Sequence, residues 1–339
     1  VRVVLTRLSA LGDIVHTWPL ADALTRGGEP VELAWVVEEA FLPMVALHPG
    51  VVRAVPVATR RWRRAPFAAS TRKEVVEARR LLREFEPEVA LDPQGLCKSA
   101  AWGWLSGAPE RVGLARTLRR ETFSGVCYTR TMAPSPDVRH VIDINLSLAG
   151  ALGRTASYGA SPDGTFLLRW VRPEEGRAAV ALLPGTGGRG KAWPAVSFAA
   201  LARQVADRGL PVTLVWGPNE RALAESIVAS AGPGVTLAPP TSLLELAALL
   251  GRCAAVVGGD TGPVHLAASL GVPTVAVFVA TDPERNGPRG RHVRVVAAAR
   301  TGARGGRARS AALGEASVAD VLDALTEALG DGGHRSPQP

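Results

Sequence analysis

A chain of 339 residues is longer than one hydrophobic core usually grows, so two domains are expected. With 47% hydrophobic and 21% charged residues, wholesale disorder is excluded, and its 36 glycines and 26 prolines follow no period, which excludes a collagen-like or low-complexity chain. The net charge of +8 is concentrated in residues 60–130, where 15 Lys and Arg face 8 Asp and Glu; such a patch favours nucleic acid, an anionic membrane surface or a phosphorylated substrate, the alternative being a solvated arginine-rich face.

Val3 to Leu5 reads as a buried strand, followed by the loop Ser9-Ala10-Leu11-Gly12-Asp13 and a helix to about Thr25 kinked at Pro19. Strands are expected at 31–37 and 52–57, a helix at 74–85, a strand at 89–91 and a helix from Leu96. The rhythm then restarts: strands at 177–183, 212–216, 254–257 and 274–278 alternate with helices at 195–207, 220–230, 242–250 and from Pro263. Strands alternating with helices of this length mean βαβ units and a parallel sheet in each half. The polar, Gly-, Pro- and Ser-rich stretch Thr155 to Thr165 reads as a connector. It divides the chain into 1–160 and 161–329, leaving 330–339 as a disordered tail and the arginine-rich stretch 300–309 as a mobile loop. Two doubly wound domains in series are expected to face each other across a cleft at their strand C-terminal ends, where open α/β sheets bind ligands.

No transmembrane helix is expected, because the most apolar stretch, 263–280, contains His265 and Pro273. The N-terminus shows no secretory signal, and Cys97, Cys127 and Cys253 are too far apart for a disulfide framework or a zinc spacing. A reducing cytosol suits both features.

The second half carries two glycine turns. Gly258-Gly259-Asp260-Thr261-Gly262-Pro263-Val264-His265 follows a strand and opens a helix. Thr261 or Gly262 can cap that helix, Pro263 suits its first position, and the free N–H groups form a natural phosphate site. The alternative is a well-capped helix without a ligand, with His265 in a packing or capping role. The other turn runs from Gly185 to Lys191. Gly185, Gly187 and Gly190 match GxGxxG, and Gly185 to Lys191 match GxxxxGK, but Ala192 stands where a P-loop needs Ser or Thr. Pro194 starts the next helix too late for either fingerprint, so a diphosphate cradle of loop N–H groups, the Thr186 hydroxyl and the Lys191 ammonium stands beside a plain surface loop. Glu220 closes the next strand, where a carboxylate can accept from ribose hydroxyls or simply sit in a first helical turn.

In the first half, Asp13 follows Gly12 after the first strand, a place for an N-cap or a catalyst, and Arg60-Arg61-Trp62-Arg63-Arg64 follows a strand with no recognisable nucleic-acid module. The segments Ser9 to Thr17, Trp35 to Phe41, Arg60 to Arg64, Asp92 to Ala100, Lys191 to Pro194, Trp216-Gly217 and Asp260 to Gly262, taken in order over about residues 2–285, resemble the lipopolysaccharide heptosyltransferase I family. Its parent is glycosyltransferase family 9, with the GT-B fold of two facing Rossmann-like domains. The resemblance implies an N-terminal acceptor-binding and a C-terminal nucleotide-sugar-binding domain. It implies transfer from ADP-L-glycero-D-manno-heptose to Kdo of Kdo-lipid A at the cytoplasmic face of the inner membrane. By the same resemblance Asp13 is the general base. Thr186, Gly187, Lys191, Glu220, Asp260, Thr261, Gly262 and His265 serve the donor, while Arg60, Arg61, Arg64 and Arg120 serve the acceptor. Gly187 and the run Gly188-Arg189-Gly190 depart from relatives, which can carry a second hydroxyl and acidic residues there.

No Asp-x-Asp triplet exists to hold a divalent metal, so no cofactor or metal is expected. Leaving-group charge would instead meet Lys191 and the N–H groups at Thr261 to Val264, with Asp260 turned to loop N–H groups or sugar hydroxyls. The basic window would meet Kdo carboxylate, lipid A phosphates and anionic headgroups, giving peripheral membrane attachment and no nucleic-acid partner. The alternatives are a second-heptose transferase of the same family, a sugar-nucleotide 2-epimerase and a non-enzymatic anion-binding protein.

Overall fold

The computed structural model describes residues 1–169, 178–185, 192–298 and 316–332. The chain divides into two compact units, Val1–Pro162 and Asp163–Pro339. Each contains a six-stranded sheet whose paired strands are all parallel.

In the first unit the order along the chain is β1 (Arg2–Thr6), α1 (Leu11–Val15), α2 (Trp18–Thr25), β2 (Glu32–Glu38), α3 (Leu42–Ala46) and β3 (Val51–Val57). There follow α4 (Thr59–Trp62), α5 (Ala69–Glu84), β4 (Val89–Asp92), α6 (Cys97–Leu105), β5 (Glu110–Leu114), β6 (Arg130–Met132) and α7 (Val141–Leu146). The spatial order is β3-β2-β1-β4-β5-β6. Central placement explains why β1 is a continuous apolar run: Val3, Val4 and Leu5 are all fully buried. The expected single helix after β1 is two, with the break at His16 and Thr17. Pro19 falls in the first turn of α2, where its missing N–H costs nothing, so it starts a helix rather than kinking one. Helix α5 begins at Ala69, earlier than expected, because Arg72 and Lys73 hide its apolar stripe. The short strands β5 and β6 had no visible period; their pairing with β4 and with each other creates them.

The second unit runs β7 (Val180–Leu183), α8 (Ala195–Asp207), β8 (Val212–Leu214), α9 (Arg221–Ala231), β9 (Val235–Leu237) and α10 (Leu243–Arg252). It continues with β10 (Ala255–Gly259), α11 (Gly262–Ser269), β11 (Thr274–Phe278), α12 (Pro283–Asn286), β12 (Val293–Ala297) and α13 (Val318–Gly332). Its order, β12-β11-β10-β7-β8-β9, is the winding of the first sheet repeated. Ser242 and Glu245 form the capping box their spacing announces, the hydroxyl accepting from Glu245 N–H at 3.3 Å and the carboxylate from Ser242 N–H at 2.7 Å. Helix α13 was missed by sequence reasoning although Val321, Leu322, Leu325 and Ala328 recur at helical spacing and are buried. It carries the chain through Gly332, so residues 330–332, expected in the disordered tail, are helical. The stretch 300–309 and residues 333–339 lie outside the described residues.

Candidate active site

In a doubly wound sheet the order reverses beside the first strand, and the loops leaving there diverge and open a crevice. The reversal falls between β1 and β4 in one unit and between β7 and β10 in the other. Asp13 follows β1, Glu220 follows β8 beside β7, and Asp260 to His265 follow β10, so the described residues singled out as base and donor ligands all sit at these edges.

Asp13 is neither an N-cap nor buried packing. It is the third residue of α1, and its Oδ2 accepts the Ala10 N–H at 3.1 Å. Its Oδ1 accepts from the Arg7 guanidinium at 2.9 Å, and Arg120 stands 3.6 Å from the same oxygen. Arg7 is 3% exposed and Asp13 18%. Arg7 also donates to Pro93 O at 2.8 Å, tying the loop after β1 to the loop after β4. Burial lowers the Arg7 pKa, opposed by Asp13; a guanidinium stays charged regardless. Gln94 completes the tie, accepting Leu8 N–H at 2.9 Å and donating to Ser9 O at 3.2 Å.

The β4 loop is itself set by Asp92, fully enclosed at the strand end. Its carboxylate accepts Gln94 N–H at 2.8 Å, Gly95 N–H at 3.1 Å, the Ser99 hydroxyl at 2.8 Å and the Tyr128 hydroxyl at 2.7 Å. Burial pushes the Asp92 carboxyl up against the opposing effect of those donors, and burial together with Asp92 pushes the Tyr128 phenol up. Arg7, Asp92, Gln94 and Tyr128 were given no role by sequence reasoning. Legible signals were the segment Asp92 to Ala100, which contains Asp92 and Gln94, and Arg7, a charge next to Leu8 at the end of an apolar run.

The expected acceptor arginines are spread differently. Arg60 and Arg64 are exposed around α4. Arg61 is held between Glu39, at 3.0 Å, and Glu74, at 2.8 Å, and those hydrogen bonds raise its pKa. Arg120 alone of the four has its contact with Asp13.

In the second unit Glu220 precedes α9 and accepts Gly217 N–H at 2.8 Å. A Cβ on Gly185 would stand 2.1 Å from the Glu220 carboxylate and would push that side chain aside, which sets Glu220 against Gly185. Thr186, Gly187 and Lys191 lie outside the described residues. Thr261 is the N-cap position of α11, yet its hydroxyl makes no cap bond, and its Oγ1 is buried with no hydrogen-bond partner among the described residues. Of positions 261–264 expected to offer N–H groups, Pro263 has none and Val264 donates to Thr261 O at 3.1 Å. The donors left for a ligand are those of Thr261 and Gly262. The Asp260 carboxylate accepts the Thr281 hydroxyl at 2.8 Å and lies 3.4 Å from Nε2 of the buried His265. Among the described residues no three His, Cys, Asp or Glu side chains group closely enough to hold a metal.

Two parallel sheets of the same winding, each with its open edge at a switch point, make this a protein of the GT-B class. The Escherichia coli heptosyltransferase WaaC, solved with ADP, superposes with a TM-score of 0.79 at 29% identity over 88% of this chain and 94% of that one. Residues 75–312 match the glycosyltransferase family 9 (heptosyltransferase) profile, and the chain belongs to that family. Lipopolysaccharide heptosyltransferase 1 of Pseudomonas aeruginosa is 33% identical over 294 residues, 86% of this chain and 82% of that protein. Lipopolysaccharide heptosyltransferase 2 of Escherichia coli K12 is 31% identical over 126 residues, 35% of this chain. Family membership decides against the epimerase and the non-enzymatic readings.

Proposed function

We propose that this enzyme transfers L-glycero-D-manno-heptose from ADP-heptose to Kdo of Kdo-lipid A, with inversion and without a metal, as a peripheral protein at the cytoplasmic face of the inner membrane. The observation that carries the reading is the Asp13 carboxylate, held by buried Arg7 and faced by Arg120 at the switch point of the first sheet. It has the support of relatives called heptosyltransferase 1 that align along most of the chain, where one called heptosyltransferase 2 aligns along a third of it.

Oδ1 of Asp13 is occupied by cations, while Oδ2 takes one N–H and keeps a lone pair for the acceptor hydroxyl. That oxygen removes the proton as the hydroxyl attacks the anomeric carbon from the face opposite ADP. A positioned base contributes about 10²–10⁴ in rate. Arg120 receives the Kdo carboxylate beside the base, and Arg60, Arg61 and Arg64 meet further anionic groups, with Arg61 shared with its two glutamates. On the donor side Glu220 accepts from the ribose hydroxyls. The Thr261 hydroxyl, the N–H groups of Thr261 and Gly262, the Thr186 hydroxyl, the Gly187 backbone and Lys191 take the diphosphate, whose charge grows as the bond breaks. Asp260, which Thr281 and His265 hold, meets hydroxyls of the donor sugar in this reading.

The test is to incubate the protein with Kdo-lipid A and a panel of ADP- and UDP-sugars in EDTA and weigh the products. One heptose added from ADP-heptose is expected, and Asp13→Ala should remove it while ADP binding by calorimetry persists. Product only on an acceptor that already bears heptose would move the enzyme to the second step. Full turnover by Asp13→Ala would remove the carboxylate from the chemistry.

A further inference from the structure

The edge of the first sheet that carries Asp13 also holds large apolar side chains out in solvent. Phe67 is 86% exposed, Phe123 75% and Val126 71%. Phe67 lies between α4 and α5, beyond the C-terminal end of β3; Phe123 and Val126 lie in the 3-10 turn Thr122–Cys127, reached from the C-terminal end of β5. Neither segment is loosely attached. Around Phe67, Ala65 N–H donates to Trp62 O at 3.1 Å, Ala68 N–H to Ala65 O at 3.2 Å and the Thr71 hydroxyl to Ala65 O at 2.8 Å. Around Phe123, Glu121 N–H donates to Gly95 O at 3.0 Å, Cys97 N–H to the Glu121 carboxylate at 2.7 Å and the Ser124 hydroxyl to Glu121 O at 2.8 Å. The rings are thus presented by ordered backbone, at the cost of leaving apolar area in water.

Along the chain, exposed cations come shortly before both points: Arg63 and Arg64 before Phe67, and Arg116 and Arg120 before Phe123, with the exposed Glu121 between. A merely solvated basic face has no reason to hold phenyl rings outward. An apolar protein groove would gain nothing from so many guanidinium groups. Exposed apolar side chains on two arginine-bearing segments at the C-terminal end of the sheet fit the boundary between the headgroups and acyl chains of an anionic bilayer, where rings enter and guanidinium groups pair with phosphates.

We propose that Phe67, Phe123 and Val126, with Arg63 and Arg116, form the surface by which this edge docks on an anionic phospholipid bilayer. Docking there brings the base-bearing edge to a lipid-borne acceptor, so the inference deepens the heptosyltransfer reading and rests on it for its purpose.

The experiment sediments the full chain with phosphatidylcholine vesicles, with or without phosphatidylglycerol, in the absence of donor and acceptor. Binding is expected only with phosphatidylglycerol. The double variant Phe67→Ser/Phe123→Ser should weaken it about tenfold or more at every salt concentration, and Arg63→Glu/Arg116→Glu should weaken it and flatten its salt dependence. Both pairs are exposed, so circular dichroism should be unchanged. The serine variant should turn over detergent-solubilised acceptor like wild type and vesicle-embedded acceptor more slowly. Equal binding to neutral vesicles, or undiminished binding by the serine variant, overturns the proposal. So does a wild-type dimer that this variant splits, or an oligonucleotide bound through the same rings in place of vesicles. Absent heptose transfer with vesicle binding intact would instead sink the heptosyltransfer reading and leave the docking surface standing.

Discussion

Replacing Arg7 by methionine keeps the bulk of a long side chain and removes the guanidinium between Asp13 and the Pro93 carbonyl. Truncating one partner of a buried ion pair costs about 3–5 kcal/mol, because the other charge is left without compensation. Asp13 is 18% exposed and retains the Ala10 N–H and Arg120 at 3.6 Å. The cost therefore falls below that range, at about 2–3 kcal/mol, of which roughly 1 kcal/mol is the lost bond to Pro93 O. With a urea slope of about 2–3 kcal/mol/M, the unfolding midpoint of the first unit should fall by about 1 M. Tryptophan fluorescence can follow it, since Trp18, Trp35, Trp62 and Trp102 are buried there. Loss of the tie between the loops after β1 and β4 should also misplace the base, lowering kcat by about tenfold or more, with ADP affinity by calorimetry unchanged. Arg7→Lys keeps the charge but reaches one acceptor in place of two, so it should recover part of both losses. Wild-type midpoint and wild-type turnover in Arg7→Met would refute the assignment of Arg7 as the positioning residue for Asp13.

Two further outcomes concern the donor edge. Gly185→Ala would set a Cβ 2.1 Å from the Glu220 carboxylate, against 3.0 Å for Gly217→Ala. Calorimetry should therefore show ADP binding weakened by about tenfold in the first and less in the second; the reverse order would separate Glu220 from the nucleotide. The Thr261 hydroxyl is buried without a partner among the described residues. Thr261→Val should therefore leave the thermal midpoint of the free protein unchanged or higher while weakening ADP binding about fivefold or more. Lost stability without lost affinity would give the hydroxyl a structural role.

The alternation of short apolar runs with helical stretches was legible because each is a local pattern. Asp13 after the first strand and the turn that opens α11 could be singled out for the same reason, each marked by neighbours within a few residues. Elements lacking such a pattern were not: β5 reads Glu-Arg-Val-Gly-Leu and becomes a strand because β4 and β6 flank it.

What the sequence determined alone is therefore the doubly wound class and which polar residues stand at the strand ends. Tertiary structure decided how that chemistry is held, because the holding contacts join residues far apart in the chain. Arg7 reaches Pro93 and Gln94 reaches Leu8, each across 86 positions, and Tyr128 reaches Asp92 across 36. Folding also decided that Arg61 pairs with Glu39 and Glu74 while Arg120 stands beside Asp13, although all four basic positions of the acceptor side look alike as letters. Charge and hydrophobicity are properties of single residues; which charge is spent inside the protein and which ring is left in water depend on neighbours that only strand order brings together.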